Sequence, residues 1–285
     1  MSVDPKTITV FLDATPSGAR RATKAARLAK RWNAHLVGAY VVFNGVMPHP
    51  SMAFARSEKS IAGVVAHERR LEDACECTTA EVGDWFRALC AELGVDAEFR
   101  PIDRAKTVDV AIINSLHSDL IVVGHPAPSG LPDDVSAEKV LLASGVPLLI
   151  LPNDWAGETV GEHVVIGWNA SPEARRAVSD SMSLLVAAKS VTALIVDPQG
   201  CRWLGEQAGC DLRGHLSRHG ANVVVEEVAS RGRAVAKVIL ERAVESGCDL
   251  IVVGARNPAH VREILFGNAT RTLLTKMPMP VLISR

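Results

Sequence analysis

Two pairs of turns hold the residues best suited to chemistry. Asp13-Ala14-Thr15 and Asn169-Ala170-Ser171 each follow a short β-rich run. The other pair opens on glycine: GHPAPSGLPDDVSAEK from Gly124 and GARNPAHVREILFGNAT from Gly254. Glycine at a strand end lets main chain approach a ligand closely. Backbone N–H groups in a tight turn ahead of a helix present positive partial charge to an anion. The loop from Gly254 suits a phosphate better than its counterpart. Gly267 and Asn268 can present N–H groups, Asn268 and Thr270 add side-chain donors, and Arg256 can neutralise charge. In the loop from Gly124, His125 is of interest for its place beside the glycine, and prolines replace several donors.

These turns sit in a chain that repeats itself. DLIVVG occurs at Asp119–Gly124 and again at Asp249–Gly254. Around it, the halves align as β-run, turn, helix pattern. TITVFLDATPSGARRATKAARLA starts at Thr7 and HVVIGWNASPEARRAVSDSMSLL at His163, sharing ARRA with one residue inserted in the first half. Thr15 and Ser171 are natural helix N-caps, with Pro16 and Pro172 at the first helical position. Second strands are expected from His35 and Ser190, third strands at Val95–Arg100 and Asn222–Val228, and final strands from Pro147 and Pro280. Helices are expected between them, near Lys59–Leu93, Lys106–Ser115, Leu204–Arg218 and Ala234–Glu245. Strands alternating with helices predict an α/β chain of two tandem, doubly wound parallel sheets. The domains are expected at 1–152 and 161–285, joined by PNDWAGETVG. The first half also carries an inserted loop from Phe43 to Ser60.

Composition agrees with that architecture. A chain of 285 residues accommodates two domains of about 140. Apolar residues make up 48% but aromatics only 4%, so the core must be aliphatic, as buried parallel strands require. The formal charge of −1, without a basic block, argues against a nucleic-acid partner. No apolar run is long enough to span a membrane, and the opening residues lack a signal-peptide pattern. The six scattered cysteines form no zinc spacing, so reduced thiols and a cytoplasmic location are expected. His215 and His219 lie four apart on an expected helix, near Cys210 and Asp211, but without an HExxH. They are read as a solvated face, and no metal site is assigned. No P-loop, GxGxxG or GxSxG occurs.

With those residues in view, the whole chain resembles the universal stress protein family in its tandem form. The features that carry the resemblance are the first strand ending in Asp or Asn before Ala-Ser/Thr-Pro, the DLIVVG strand, and the closing GNATRTLLTKMPMPVLISR. The resemblance implies doubly wound domains of strand order 3-2-1-4-5, similar to adenine nucleotide alpha hydrolases. It implies pairing through the last strand, here as an internal pseudo-twofold pair, with homodimerisation a further option. ATP-binding members have Asp after strand one and a loop of Gly, two residues, Gly, nine residues, Gly, then Ser or Thr. In the second half, Gly254 and Gly267 fit the first and third glycines. Asn257 stands at the second, Asn268 at the Ser/Thr, and Asn169 at the acidic position. Ala170, Val196, Ala269 and Thr270 complete the implied pocket. The first half keeps Asp13, Val41 and Gly124 but has Ala127 at the second glycine. The resemblance implies a stress-response protein, with ATP (and Mg with it) as the cofactor for the C-terminal half. The alternatives are a scaffold acting through protein partners, without nucleotide, and a nucleotide hydrolase. No clear catalytic constellation supports the last, although Asp13, His125 and Asp133 could converge.

Overall fold

Most strands are runs of β-branched and aliphatic residues covered on both faces, the exceptions being the two at the sheet edges. The computed structural model describes residues 4–42, 77–103, 117–132, 135–198, 208–255, 272–275 and 277–285. Its first half contains β1 (Thr7–Leu12), α1 (Pro16–Trp32) and β2 (His35–Val42). It continues with helix α2, described over 77–93, then β3 (Ala97–Asp103), β4 (Leu120–His125), α3 (Ala137–Ser144) and β5 (Leu148–Pro152). The second half contains β6 (His163–Gly167), α4 (Pro172–Asp180), α5 (Met182–Ala187) and β7 (Ser190–Val196). It ends with α6 (Ala208–Arg218), β8 (Val223–Val228), α7 (Val235–Glu245), β9 (Leu250–Gly254) and β10 (Val281–Ser284).

All ten strands form one sheet, ordered β3-β2-β1-β4-β5-β10-β9-β6-β7-β8. Each half has the expected order 3-2-1-4-5. Neighbours are parallel except at the centre, where β10 meets β5 antiparallel. There Leu282 faces Leu149, flanked by Val281 opposite Ile150 and Ile283 opposite Leu148. The final strands would otherwise be apolar sheet edges, prone to aggregation. Pairing them buries both and makes the pseudo-twofold pair within one chain.

Alternation along the strands splits the core into two layers. Ile8, Val10, Leu12, Val122, Leu149, Ile166, Val252 and Leu282 pack on the face covered by α1, α2, α4, α5 and α6. Phe11, Ile121, Val123, Ile150, Val165, Ile251 and Ile283 pack on the other, against α3 and α7. Each layer runs across both halves. Both copies of the repeat also open on the same clamp. Asp119 accepts hydrogen bonds from the N–H groups of Lys6 and Thr7, at 2.8 and 2.9 Å. Asp249 accepts from Glu162 and His163, at 3.1 and 2.8 Å. Each aspartate therefore fastens the start of the neighbouring first strand.

The observed elements differ from the sequence reading at a few ends. The third strand of the first half runs over Ala97–Asp103, later than expected. The helix after β6 breaks at Ser181, whose hydroxyl bonds back to the Ala177 carbonyl and competes with continuation of the helix. The insertion from Phe43 to Ser60, the helix at Lys106–Ser115, and the expected helical stretches before 77 and before 208 lie outside the described residues.

Candidate functional site

The candidate residues gather at the carboxyl ends of the strands, where parallel sheets bind ligands. In the first half, Leu12 pairs with Tyr40, and β4 lies on the other side of β1. Asp13, Val41, Gly124 and His125 line one cavity of about 370 Å³. Thr15 caps α1 by accepting from the Gly18 N–H, and the Asp13 carboxylate accepts from the Thr15 N–H at 3.0 Å and from its hydroxyl.

Arg21 changes the character of this end. Its side chain is about 1% exposed, and its guanidinium bonds Asp13 at 2.5 Å and the Phe11 carbonyl at 2.9 Å. A Cβ added at Gly124 would lie 2.1 Å from Arg21 Nη1. The glycine thus makes room for a buried cation rather than for an incoming ligand. Nη1 itself is buried without a hydrogen-bond partner among the described residues. Burial lowers the Arg21 pKa, and the neighbouring Asp13 carboxylate opposes that shift.

The loop that follows is pinned. The Gly124 N–H donates to the Ser129 carbonyl at 3.0 Å, and Asn153 Nδ2 donates to the carbonyls of Pro126 and Pro128. Pro126, Pro128 and Pro132 have no N–H to offer. Gly130, at φ +81°, sits on the Phe11 backbone, where a Cβ would approach the carbonyl oxygen to 2.4 Å. Gly130→Val should therefore lower stability by roughly 2 kcal/mol or more, read as a lower urea midpoint. His125 is half-buried, and that burial pushes its pKa down, so the ring is neutral at pH 7.

The second half is built differently at the same place. Asn169 keeps the turn, accepting from the Ser171 N–H at 3.1 Å, and Ser171 caps α4 through the Ala174 N–H. Ala170 adopts φ +55°. Gly254 packs directly on the helix start: an added Cβ would lie 2.4 Å from Ala174 N and 2.4 Å from the Glu173 carbonyl carbon. Pairing of β6 with β7 and β9 brings Asn169, Ala170, Val196 and Gly254 to one end of the sheet. Arg256, Asn257, Gly267, Asn268, Ala269 and Thr270 lie outside the described residues, as does Asp133.

The repeat explains why the two ends differ. The shared ARRA does not mark structurally equivalent residues. Counted from the caps Thr15 and Ser171, Arg21 occupies the place of Ala177, and Gly18 that of Ala174. One inserted residue turns the motif by about 100° around the helix. Arg21 therefore points inward, while Arg176 stays exposed and pairs with Asp180 at 2.9 Å. Arg21 and Asn153 escaped the sequence reading. The insertion ahead of ARRA was the available signal.

No group of three or more metal-ligating side chains occurs among the described residues. His215 and His219 stack edge to face, with ring centroids 4.8 Å apart. Burial pushes the Cys90 thiol up to about 11 and the Cys248 thiol up to about 12, so neither is a ready nucleophile. No helix among the described residues is long and apolar enough to cross a membrane.

Residues 203–285 match the family model described as the universal stress protein family. Over those residues the chain is similar to universal stress proteins. That match covers the second half from before α6 to the end and bears out the resemblance read from the sequence. The likeness in fold runs over the full length. A universal stress protein from Archaeoglobus fulgidus DSM 4304 superposes with a TM-score of 0.69 at 16% identity, covering 98% of this chain and 96% of that chain. A functionally unknown protein from Pseudomonas aeruginosa PAO1 gives 0.56 at 16% identity, over 98% and 92%. A universal stress protein in complex with cAMP covers 53% of this chain and 99% of itself, at 20% identity and a TM-score of 0.30. A search of curated proteins finds no match.

Proposed function

We propose that this chain is a tandem universal stress protein whose halves have divided their work. The domain at 161–285 takes an adenine nucleotide, ATP with Mg, between Asn169, Val196 and the loop opened by Gly254. The domain at 1–152 has given up phosphate binding and serves as its structural partner. The contrast between Gly124 and Gly254 carries this reading. At Gly254 the atoms nearest an added Cβ are backbone atoms of Glu173 and Ala174 in the first turn of α4, and none of these belongs to a cation. At Gly124 a guanidinium fills the space, its counter-ion is Asp13, the Gly124 N–H is spent on the Ser129 carbonyl, and Pro126, Pro128 and Pro132 bring no N–H. The free thiols of Cys77, Cys90, Cys210 and Cys248 accord with a cytoplasmic setting.

Calorimetric melting of the full chain with millimolar ATP and Mg tests the proposal. A ligand that binds only the native state at 100 times its Kd adds about 2.7 kcal/mol. The expected result is a rise in Tm that Gly267→Val removes and His125→Ala leaves in place. Loss of the shift in His125→Ala, with retention in Gly267→Val, would reverse the assignment of the halves. Absence of any shift in the unaltered chain would instead favour the scaffold reading, in which protein partners are the only ligands.

A further inference from the structure

The pseudo-twofold axis creates two related clefts between the halves, and only one of them is filled. The first lies along α1. There the linker from β5 to β6 runs past a row of cations: Arg20 donates to the Asn153 carbonyl at 2.6 Å, Lys24 to that of Gly157, and Arg27 to that of Glu158. Lys24 also sits 4.8 Å from the centre of the Trp155 ring. The linker thus supplies oxygen ligands to the positive side chains of that cleft. What remains of the opening is about 230 Å³.

The related cleft lies along α4, against the starts of β1, β4 and β5. It is a cavity of about 620 Å³ with Lys6 on one wall and Arg175, His215 and His219 on the other. A volume of this size is typical of a small-molecule site. No linker crosses it. Its acids are largely committed: Asp119 holds the N–H groups of Lys6 and Thr7, and Asp180 holds Arg176 and the Ser284 hydroxyl. Asp4, at the exposed rim, is the exception. Lys6, Arg175, His215 and His219 have no ion-pair partner among the described residues. The influences on His215 agree. Its pKa is lowered first by burial and then by Arg175, His219 and Arg218, all of the same sign.

We propose that this interdomain cleft binds a small multivalent oxyanion, held between Lys6 of the first half and Arg175, His215 and His219 of the second. The ligand does there what the linker carbonyls do in the related cleft. Phosphorylated and polycarboxylate metabolites share this chemistry. Because the site spans both halves, its occupant would hold them together, independently of any nucleotide at Gly254.

Titration calorimetry of the full chain with pyrophosphate and with citrate, at constant ionic strength, tests this. Saturable binding of either anion is expected, and preference between them names the ligand chemistry. Arg175→Ala and Lys6→Ala lie on opposite walls at exposed positions, so both variants should fold, with melting curves as the check. Each should weaken binding about tenfold, the ordinary effect of losing one charge-assisted hydrogen bond. Failure of both anions to saturate, or binding that survives both substitutions, would overturn the proposal. The second outcome would place the anion at another site, such as the loop from Gly254.

Discussion

Replacing Arg21 by Ala should cost about 3 kcal/mol of stability, and adding Asp13→Asn should return a good part of it. The guanidinium is buried, makes one ion pair and one bond to the Phe11 carbonyl, and fills the space beside Gly124. Removing it leaves a cavity and a carboxylate, about 15% exposed, without its counter-ion. Breaking a buried pair from one side costs roughly 3–5 kcal/mol, and the partial exposure of Asp13 places this case at the lower end. The second half supplies the natural double substitution. Counted from the helix caps, Asn169 and Ala177 stand where Asp13 and Arg21 do, and Asn169 keeps the hydrogen bond that closes the turn. A double-mutant cycle by urea unfolding should therefore show coupling of about 1–2 kcal/mol. Strict additivity of the two changes would show that the pair does not act as a unit.

Gly254→Ala should be more damaging than Gly124→Ala, although both glycines end the same hexapeptide. At 254 the new methyl meets the backbone of the first turn of α4, which is fixed by its cap and by packing on β9. At 124 it meets side-chain ends first, Arg21 Nη1 at 2.1 Å and Asn153 Oδ1 at 2.7 Å, which can rotate away, while the nearest of the backbone atoms around it, the Pro128 oxygen, is 3.1 Å off. Overpacking against backbone costs roughly 1–3 kcal/mol or more, so a loss near 3 is expected at 254 and about half that at 124. In a chain this long, that is a fall in Tm of about 5–10 °C against a few degrees. Equal losses would mean that α4 yields as easily as the arginine, and would remove the basis for treating the two ends as different sites.

Much of the fold was legible because its signals are local and repeated. The Thr-Pro and Ser-Pro starts of α1 and α4, the β-branched runs and the two copies of DLIVVG each specify their own element. The strand order, by contrast, came from the resemblance to a known family. Even the joining of the halves could be read, since two apolar final strands demand cover. The site was less legible. Whether an arginine on a helix points in or out depends on a single residue inserted ahead of it, and the shared ARRA concealed that shift. The role of Asn153, which ties down Pro126 and Pro128 from the next strand, is a contact between segments distant in sequence. No periodicity announces it. The cleft along α4 exists only because β10 lies beside β5, so no single element points to it.

The antiparallel junction of β5 and β10 also has a kinetic meaning. Two separate chains that join through such strands must find each other, and their pairing weakens on dilution. Here the partners are tethered by a ten-residue segment, at an effective concentration set by the linker and not by expression level. The paired form therefore persists at any abundance of the protein. Its two ends can also diverge, as Gly124 and Gly254 have done, without the constraint that one gene must encode both copies of a symmetric interface.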